Sequence, residues 1–139
     1  MTEKKGKITG LGGVFVKSND TKALVKWYRE VLEFPYDGYG SSFPMREHSD
    51  PTTEGYNVWG PFKAETDYFS PSDKEFMINL RVQNLDDLME RLLAAGVKEV
   101  KEREEYDYGK FAWIVDPDGT KLELWEQVGP NPPAEAEED

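Results

Sequence analysis

Hydrophobic and polar residues follow their clearest pattern toward the end of the chain. Two apolar runs, 111–115 and 121–125, flank the sequence DPDG at 116–119. Proline suits the second position of a tight turn and glycine tolerates a positive φ, so this segment predicts a β-hairpin. Strand alternation then places Glu123 on the face opposite its leucine neighbours, either in solvent or in a binding site.

Two further segments place a predicted helix directly after a strand. One strand begins near Gly13 and is followed by helical spacing over 21–32, with Asp20 as an N-cap signal. The other strand begins at Phe76, and its helix is expected between an Asn84 cap and a Gly96 stop.

Shorter strands are predicted at 41–46, 55–59 and 97–103, and the Gly60-Pro61 pair is expected to end the middle one. Residues 62–74 are predicted to be a connecting loop that carries two exposed aromatic side chains, Tyr68 and Phe69.

A shift of 64 residues superposes four of these landmarks and indicates a duplicated βαβββ unit. It lays Gly13 on Met77, Asp20 on Asn84, the first helix on the second, and Gly55 on Gly119. Two such modules predict an α+β fold in which a curved mixed sheet has helices outside and a concave cavity inside. The expected segments are an N-terminal tail (1–7), a single domain (8–127) and a disordered acidic tail (128–139). Within the domain we expect module one at 8–62, a linker at 63–74 and module two at 75–127.

The charge balance narrows the classes of partner. The chain of 139 residues has 28 acidic and 17 basic residues, with a net charge of −11. Nucleic acids and anionic membranes are therefore not expected as partners, because both require clustered Lys and Arg. The absence of cysteine excludes disulfides and thiolate metal sites. With no long apolar run, the sequence favours a cytoplasmic protein.

The strand, the capped helix with the pair Trp27-Tyr28, and the later sequence DPDGTKLELW at 116–125 resemble the glyoxalase/bleomycin-resistance/extradiol-dioxygenase family, the vicinal oxygen chelate superfamily. The resemblance covers residues 8–127 and is stronger in module two. It implies the glyoxalase/bleomycin-resistance fold and a homodimer. In metal-dependent members it also implies a divalent ion held by the first and last strands of each module.

Glu123 matches one of the family's ligand positions, and the other positions fall on Gly13, Met77 and either Asn57 or Trp59. A catalytic divalent ion normally needs about three protein ligands, so we expect neither a catalytic metal nor another cofactor. A divalent metal remains the alternative, with the site completed by the single histidine, His48, or by a partner chain.

The parity of the strands assigns a lining to the cavity. The predicted ligand-binding residues are Phe15, Asn57, Trp59, Met77, Asn79, Arg81 and Trp125, with Glu123 as the candidate catalytic residue. Arg81 and Glu123 are expected to pair or to bind ligand groups of opposite charge. In the alternative, the tryptophans fill the cavity and Arg81 extends to solvent. Tyr106 and Tyr108 are expected to stack on a planar or cationic ligand, or else to form a solvated hairpin tip.

Three functional hypotheses follow. The first is a glyoxalase/bleomycin-resistance-like protein that binds a small organic molecule in the cavity without a catalytic metal. The second is a metal-dependent lyase or isomerase, similar to lactoylglutathione lyase, with Glu123 as its base. The third is an interaction module whose acidic surface and tail meet a basic partner.

Overall fold

A single sheet and two helices form the structure, a computed structural model that describes residues 4–36, 38 and 40–132. The elements in chain order are β1 (Lys7–Ser18), α1 (Thr21–Val31), β2 (Ser41–Arg46), β3 (Glu54–Lys63), β4 (Phe76–Gln83), α2 (Leu85–Ala94), β5 (Glu99–Tyr106), β6 (Gly109–Val115) and β7 (Lys121–Gln127). No helix in the described ranges is long and apolar enough to cross a membrane.

The seven strands form one mixed sheet in the order β2-β3-β1-β4-β7-β6-β5. Strands β1 and β3 are parallel, as are β4 and β7, while β1 and β4 join the two modules in antiparallel fashion. Val14 pairs with Ile78, and the pairs on either side are Gly13 with Asn79 and Phe15 with Met77. Val14 and Ile78, at the centre of this two-fold arrangement, are 64 residues apart, which is the offset of the predicted repeat.

The predicted α+β fold with its two related modules is confirmed. Over the described residues, module two is the predicted βαβββ unit, whereas module one is βαββ and has one strand fewer than predicted. Strand β1 begins at Lys7, earlier than the predicted start near Gly13. Strand β3 continues through Gly60-Pro61 to Lys63, because its pairing with β2 ends at Trp59 and leaves one edge of β3 free to accommodate proline.

Both helices lie on the same face of the sheet. Leu85, Leu88 and Met89 of α2 pack against side chains of β4, β6 and β7. On the other half of the sheet, Tyr28 of α1 stacks on Trp59 of β3 with ring centroids 4.0 Å apart. The opposite face, called the inner face below, carries the side chains of Phe15, Met77, Asn79, Arg81, Trp113, Glu123 and Trp125.

The caps and the hairpin turn form as their sequences predict. The Asp20 side chain accepts a hydrogen bond from the backbone N–H of Ala23 at 3.0 Å, and Asn84 caps α2 in the same way. In the β6–β7 turn, Asp116 Oδ1 accepts from the N–H groups of Asp118 and Thr120, both at 2.9 Å. Gly119 has φ of +84°, a conformation that costs other residues free energy.

The linker between the modules differs from its prediction. Tyr68 is half-buried and Phe69 is fully buried, at 0% exposure, whereas both were expected to be exposed. Phe69 packs in a cluster with Met77 and Trp113 on the inner face. The prediction was wrong because a polar, proline-containing segment shows no periodicity from which burial can be inferred. The linker therefore covers part of the predicted cavity.

The two predicted tails are partly held against the domain. The backbone N–H of Gly6 donates to Asp87 Oδ2 at 2.7 Å, and Gln83 donates to the carbonyl of Lys5 at 2.6 Å. At the other end, Asn131 donates to the carbonyl of Gly55 at 2.8 Å. The remainder of the predicted acidic tail, 133–139, lies outside the described residues.

The turn at Gly119 yields a stability prediction. Replacing Gly119 by alanine should lower the free energy of unfolding by about 1 kcal/mol, because alanine disfavours the positive φ. Urea denaturation measures this change. Gly10→Ala is the matched control, because a Cβ at that position meets no atom within 4 Å. Equal losses in the two variants would contradict the assigned backbone strain.

Candidate functional site on the inner face

The centre of the inner face is the carboxylate of Glu123, which is only 4% exposed. Its Oε1 accepts a hydrogen bond from Asn79 Nδ2 at 2.6 Å. Its Oε2 accepts from the Tyr68 hydroxyl at 2.5 Å and from Trp113 Nε1 at 2.9 Å. The three donors are uncharged and come from β4, the linker and β6. They replace the water that a buried carboxylate loses.

Local pairing explains how the strand donors reach Glu123. Asn79 pairs with Glu123 across the parallel β4–β7 ladder, and Trp113 pairs with it across the antiparallel β6–β7 hairpin. Paired residues point to the same face of a sheet, so both side chains lie beside the carboxylate. Gly12 lies against the Asn79 amide, where a Cβ would come within 1.9 Å of Oδ1. Asn79 Oδ1 is buried and has no hydrogen-bond partner among the described residues.

Tyr68 is enclosed by aromatic and cationic groups. Its ring stacks on Phe62, with centroids 5.2 Å apart and planes 9° apart. The Lys101 and Lys121 ammonium groups lie 4.6 and 5.0 Å from the ring centroid. Burial raises the pKa of the Tyr68 hydroxyl, and the negative charge of Glu123 raises it further. The phenol is thereby held in its protonated, donating form.

Lys121 also contributes to the enclosure. Its ammonium donates to the backbone carbonyl of Tyr68, and the residue is 2% exposed. Burial lowers the pKa of Lys121, and the positive charge of Lys101 lowers it further. Lys17 lies 5.7 Å from the centroid of the neighbouring Phe69 ring. Three cationic side chains therefore surround the linker aromatics of this acidic protein.

Arg81 does not pair with Glu123, contrary to one expectation. Its Nη2 lies 3.2 Å from Glu47 Oε1, and its Nη1 donates to the carbonyl of Tyr56 at 3.0 Å. The guanidinium also lies 4.9 Å from the Trp125 ring centroid. Arg81 is 5% exposed, so it does not extend to solvent either. Glu47, which precedes His48 in a loop, supplies the counter-charge at this end of the inner face.

Trp59 and Asn57 do not line the inner face, contrary to their prediction. Trp59 packs beneath α1, and Asn57 donates to the carbonyl of Leu11 at 2.6 Å. Strand β3 has large side chains on both faces, so alternation alone could not identify the inner one. The contact of Tyr56 with Trp125, at 4.9 Å between ring centroids, shows that its even-numbered residues face inward.

The other predicted residues lie in two places. Phe15 and Met77 pack with Phe69 in the inner-face cluster. Tyr106 and Tyr108 stack on each other at the β5–β6 hairpin, with ring centroids 5.3 Å apart, and are 44% and 55% exposed. They contact Phe111 but make no described contact with Glu123.

The residues around Glu123 are not a donor set that holds a divalent cation. Both oxygens of the Glu123 carboxylate already accept hydrogen bonds from neutral donors. In module one the position equivalent to Glu123 is Gly60, which has no side chain that could bind a metal. The equivalence follows from strand pairing, since Gly60 pairs with Phe15 in the same way as Glu123 pairs with Asn79. His48 is exposed in the β2–β3 loop. Over the described ranges, no group of three or more His, Cys, Asp or Glu side chains is arranged to bind a metal ion.

Sequence reasoning missed several residues that complete the site. Trp113 could have been found, because it lies opposite Glu123 in the predicted hairpin. Lys121 could also have been found, because it lies two residues before Glu123 in the same strand and therefore on the same face. Tyr68 and Lys101 could not, since their positions depend on how the linker and β5 pack in three dimensions.

Tyr68→Phe should change the dependence of stability on pH. At pH 8, loss of the hydrogen bond to Glu123 should cost about 1.5–3 kcal/mol. The folded-state pKa of Tyr68 lies above its unfolded value of about 10, so the contribution of Tyr68 is present below pH 10 and is lost as pH rises further. The difference between the two proteins should shrink by about 1.4 kcal/mol per pH unit above pH 10. Urea denaturation between pH 8 and 11 measures it, and a constant difference would contradict the assignment.

Comparisons with known proteins agree with this architecture. The model of the glyoxalase-like domain family matches residues 13–125. Methylmalonyl-CoA epimerase of Streptomyces coelicolor, in complex with 2-nitronate-propionyl-CoA, is 13% identical with a TM-score of 0.66, covering 88% of this chain and 100% of that one. The Mycobacterium tuberculosis epimerase is 18% identical with a TM-score of 0.57 and covers 94% of each chain.

A larger enzyme shares the fold as well. A catechol 2,3-dioxygenase is 17% identical with a TM-score of 0.56, over 91% of this chain and 42% of that one. At these sequence identities the structural neighbours show that the fold is shared, and they give no information on activity. No curated protein matches the chain in sequence. The family match extends over most of the chain, and the protein belongs to the glyoxalase-like domain family.

Proposed function

We propose that this protein binds a small organic molecule on the inner face and does so without a catalytic metal. The observation that carries the proposal is the set of hydrogen bonds around Glu123. A buried carboxylate held by Asn79, Tyr68 and Trp113 is arranged to accept hydrogen bonds from neutral donors. Aromatic walls with a few convergent polar groups are the usual composition of a small-molecule site.

The charge near the linker indicates which ligands suit the face. The ammonium groups of Lys17, Lys101 and Lys121 lie within 6 Å of the ring centroids of Phe69 or Tyr68. Although the protein as a whole carries a net charge of −11, this local cluster favours a ligand with an anionic group at this position. The proposed ligand is therefore a small aromatic acid. A cytoplasmic location stays a prediction.

We also propose that the protein forms a homodimer through the helix-bearing face. Ile8, Leu11 and Val14 pair with β4 residues whose side chains face the helices, yet Leu11 is 71% exposed. On α1, Trp27 and Val31 are 49% and 57% exposed. Several large apolar side chains exposed on one face of a protein favour an interaction site there. A second copy of the chain presents the same uncharged patch. Two acidic proteins can therefore meet at this patch with little charge repulsion.

The ligand proposal predicts a binding screen and its metal control. Small aromatic acids should raise the melting temperature of the wild type. At a ligand concentration of a hundred times Kd, binding stabilises the folded state by about 2.7 kcal/mol. Glu123→Gln should weaken each hit that also carries a hydrogen-bond donor, because the amide is a poorer acceptor than the carboxylate. Glu102→Gln, an exposed site on β5, is the matched charge control.

Calorimetric titration with Mn²⁺, Ni²⁺ and Zn²⁺ completes this test. The proposal predicts no stoichiometric binding by the wild type. Tight metal binding that Glu123→Gln abolishes would overturn the metal-free function, and equal ligand affinity in the Glu123 and Glu102 variants would overturn the site.

The dimer proposal predicts the effect of a charge on α1. Trp27→Glu should convert the protein to a monomer, because it places a carboxylate in the apolar contact. Light scattering coupled to size-exclusion chromatography measures the mass. Lys22→Glu, exposed on the same helix, should leave the dimer intact. A monomeric wild type, or a dimer that persists in Trp27→Glu, would contradict the proposed interface.

A further inference from the structure

We infer that the Tyr68 side chain occupies the ligand site when no ligand is bound. A para-hydroxyaryl carboxylic acid binds at this site by displacing that side chain. The inference rests on the proposed function, since it names the ligand class and an internal competitor on the same face. Three parts of the Tyr68 residue have separate partners: its hydroxyl, its ring and its backbone carbonyl.

The hydroxyl end fits a neutral O–H donor. Glu123 Oε2 lies 2.5 Å from the Tyr68 hydroxyl, and the same oxygen accepts from Trp113 Nε1 at 2.9 Å. With Asn79 on the other oxygen, the carboxylate is fixed in position before any ligand arrives. A ligand hydroxyl would take the bond that Tyr68 now makes, at no cost in reorienting Glu123.

The ring lies in a flat slot. Phe62 stacks on it with planes 9° apart, and Trp113 meets it edge-on at 86°. The ammonium groups of Lys101 and Lys121 lie 4.6 and 5.0 Å from its centroid, within the range of cation–π attraction. These walls favour an electron-rich aromatic ring over an aliphatic group of equal volume.

The end of the residue opposite the hydroxyl faces a cation. The Lys121 ammonium donates to the Tyr68 carbonyl oxygen, which stands in for an acceptor carried on a short chain from the ring. A ligand carboxylate within reach of the same ammonium would form an ion pair, which is stronger than the present bond to a neutral carbonyl oxygen. The residue thus outlines a ligand with a hydroxyl at one end, an aromatic ring and a carboxylate at the other end.

Tyr68 can leave without unfolding the linker, because the anchor of the linker is its neighbour. Phe69 is 0% exposed in the cluster with Met77 and Trp113, whereas Tyr68 is only half-buried. A tethered occupant competes at a high effective concentration, so the wild type should bind such a ligand more weakly than the open site would.

Isothermal titration with three matched acids and phenols tests the inference. The probes are 3-(4-hydroxyphenyl)propanoate, 3-phenylpropanoate without the hydroxyl, and 4-methylphenol without the carboxylate. Tyr68→Phe keeps the ring but weakens the competitor, so affinity for the first probe should rise about tenfold or more. Each omitted group should reduce affinity by about tenfold or more in that variant.

Tyr106→Phe is the matched control, since it removes a hydroxyl at the exposed β5–β6 hairpin. It should bind all three probes as the wild type does. Tyr68→Ala should bind the first probe most tightly, and Tyr68→Phe decides the question if the alanine variant does not fold. Equal affinity of the wild type and Tyr68→Phe would overturn the inference, as would equal affinity for the first two probes. The proposed function would still hold if other aromatic acids bind and the Glu123→Gln substitution weakens them. If no probe and no other aromatic acid binds any variant, the inference and the proposed function are both wrong.

Discussion

Burial of the Glu123 carboxylate is the constraint on which the inner face depends. An ionised carboxylate loses several kcal/mol of hydration when it leaves water, unless hydrogen-bond donors replace the solvent. Here the donors come from β4, β6 and the linker, so one side chain ties together three segments distant in sequence. The linker is held over the sheet partly because Tyr68 is one of those donors. Its position is thus a consequence of the charge beneath it.

The local features of the fold could be predicted from sequence because their causes are local. The DPDG turn, the Asp20 cap and the Gly96 stop each depend on residues a few positions apart, and each occurs as expected. The 64-residue repeat gave the relation of the two modules, since the Val14–Ile78 pair lies at its centre.

The parts that failed depend on contacts between distant segments. Trp59 was assigned to the wrong face because β3 is aromatic on both sides. Its packing against Tyr28 and the contact of Tyr56 with Trp125 distinguish the two faces. Arg81 was expected to pair with Glu123, because it lies two residues beyond the strand partner of Glu123, Asn79. The acid that it contacts is instead Glu47. No spacing in the sequence connects residue 47 with residue 81. The burial of Phe69 is hidden in the same way.

Two effects of the fold act together at Tyr68. The sheet presents one buried negative charge at its centre, and lysines from β1, β5 and β7 surround the linker aromatics above it. A neutral ring with a donor at one end and an acceptor at the other satisfies both, because it meets Glu123 without adding charge and meets Lys121 with an oxygen. A cationic ligand would be repelled by the lysines, and an aliphatic one would lose the stacking on Phe62. The charges around Tyr68 therefore define the class of ligand that is proposed for the inner face.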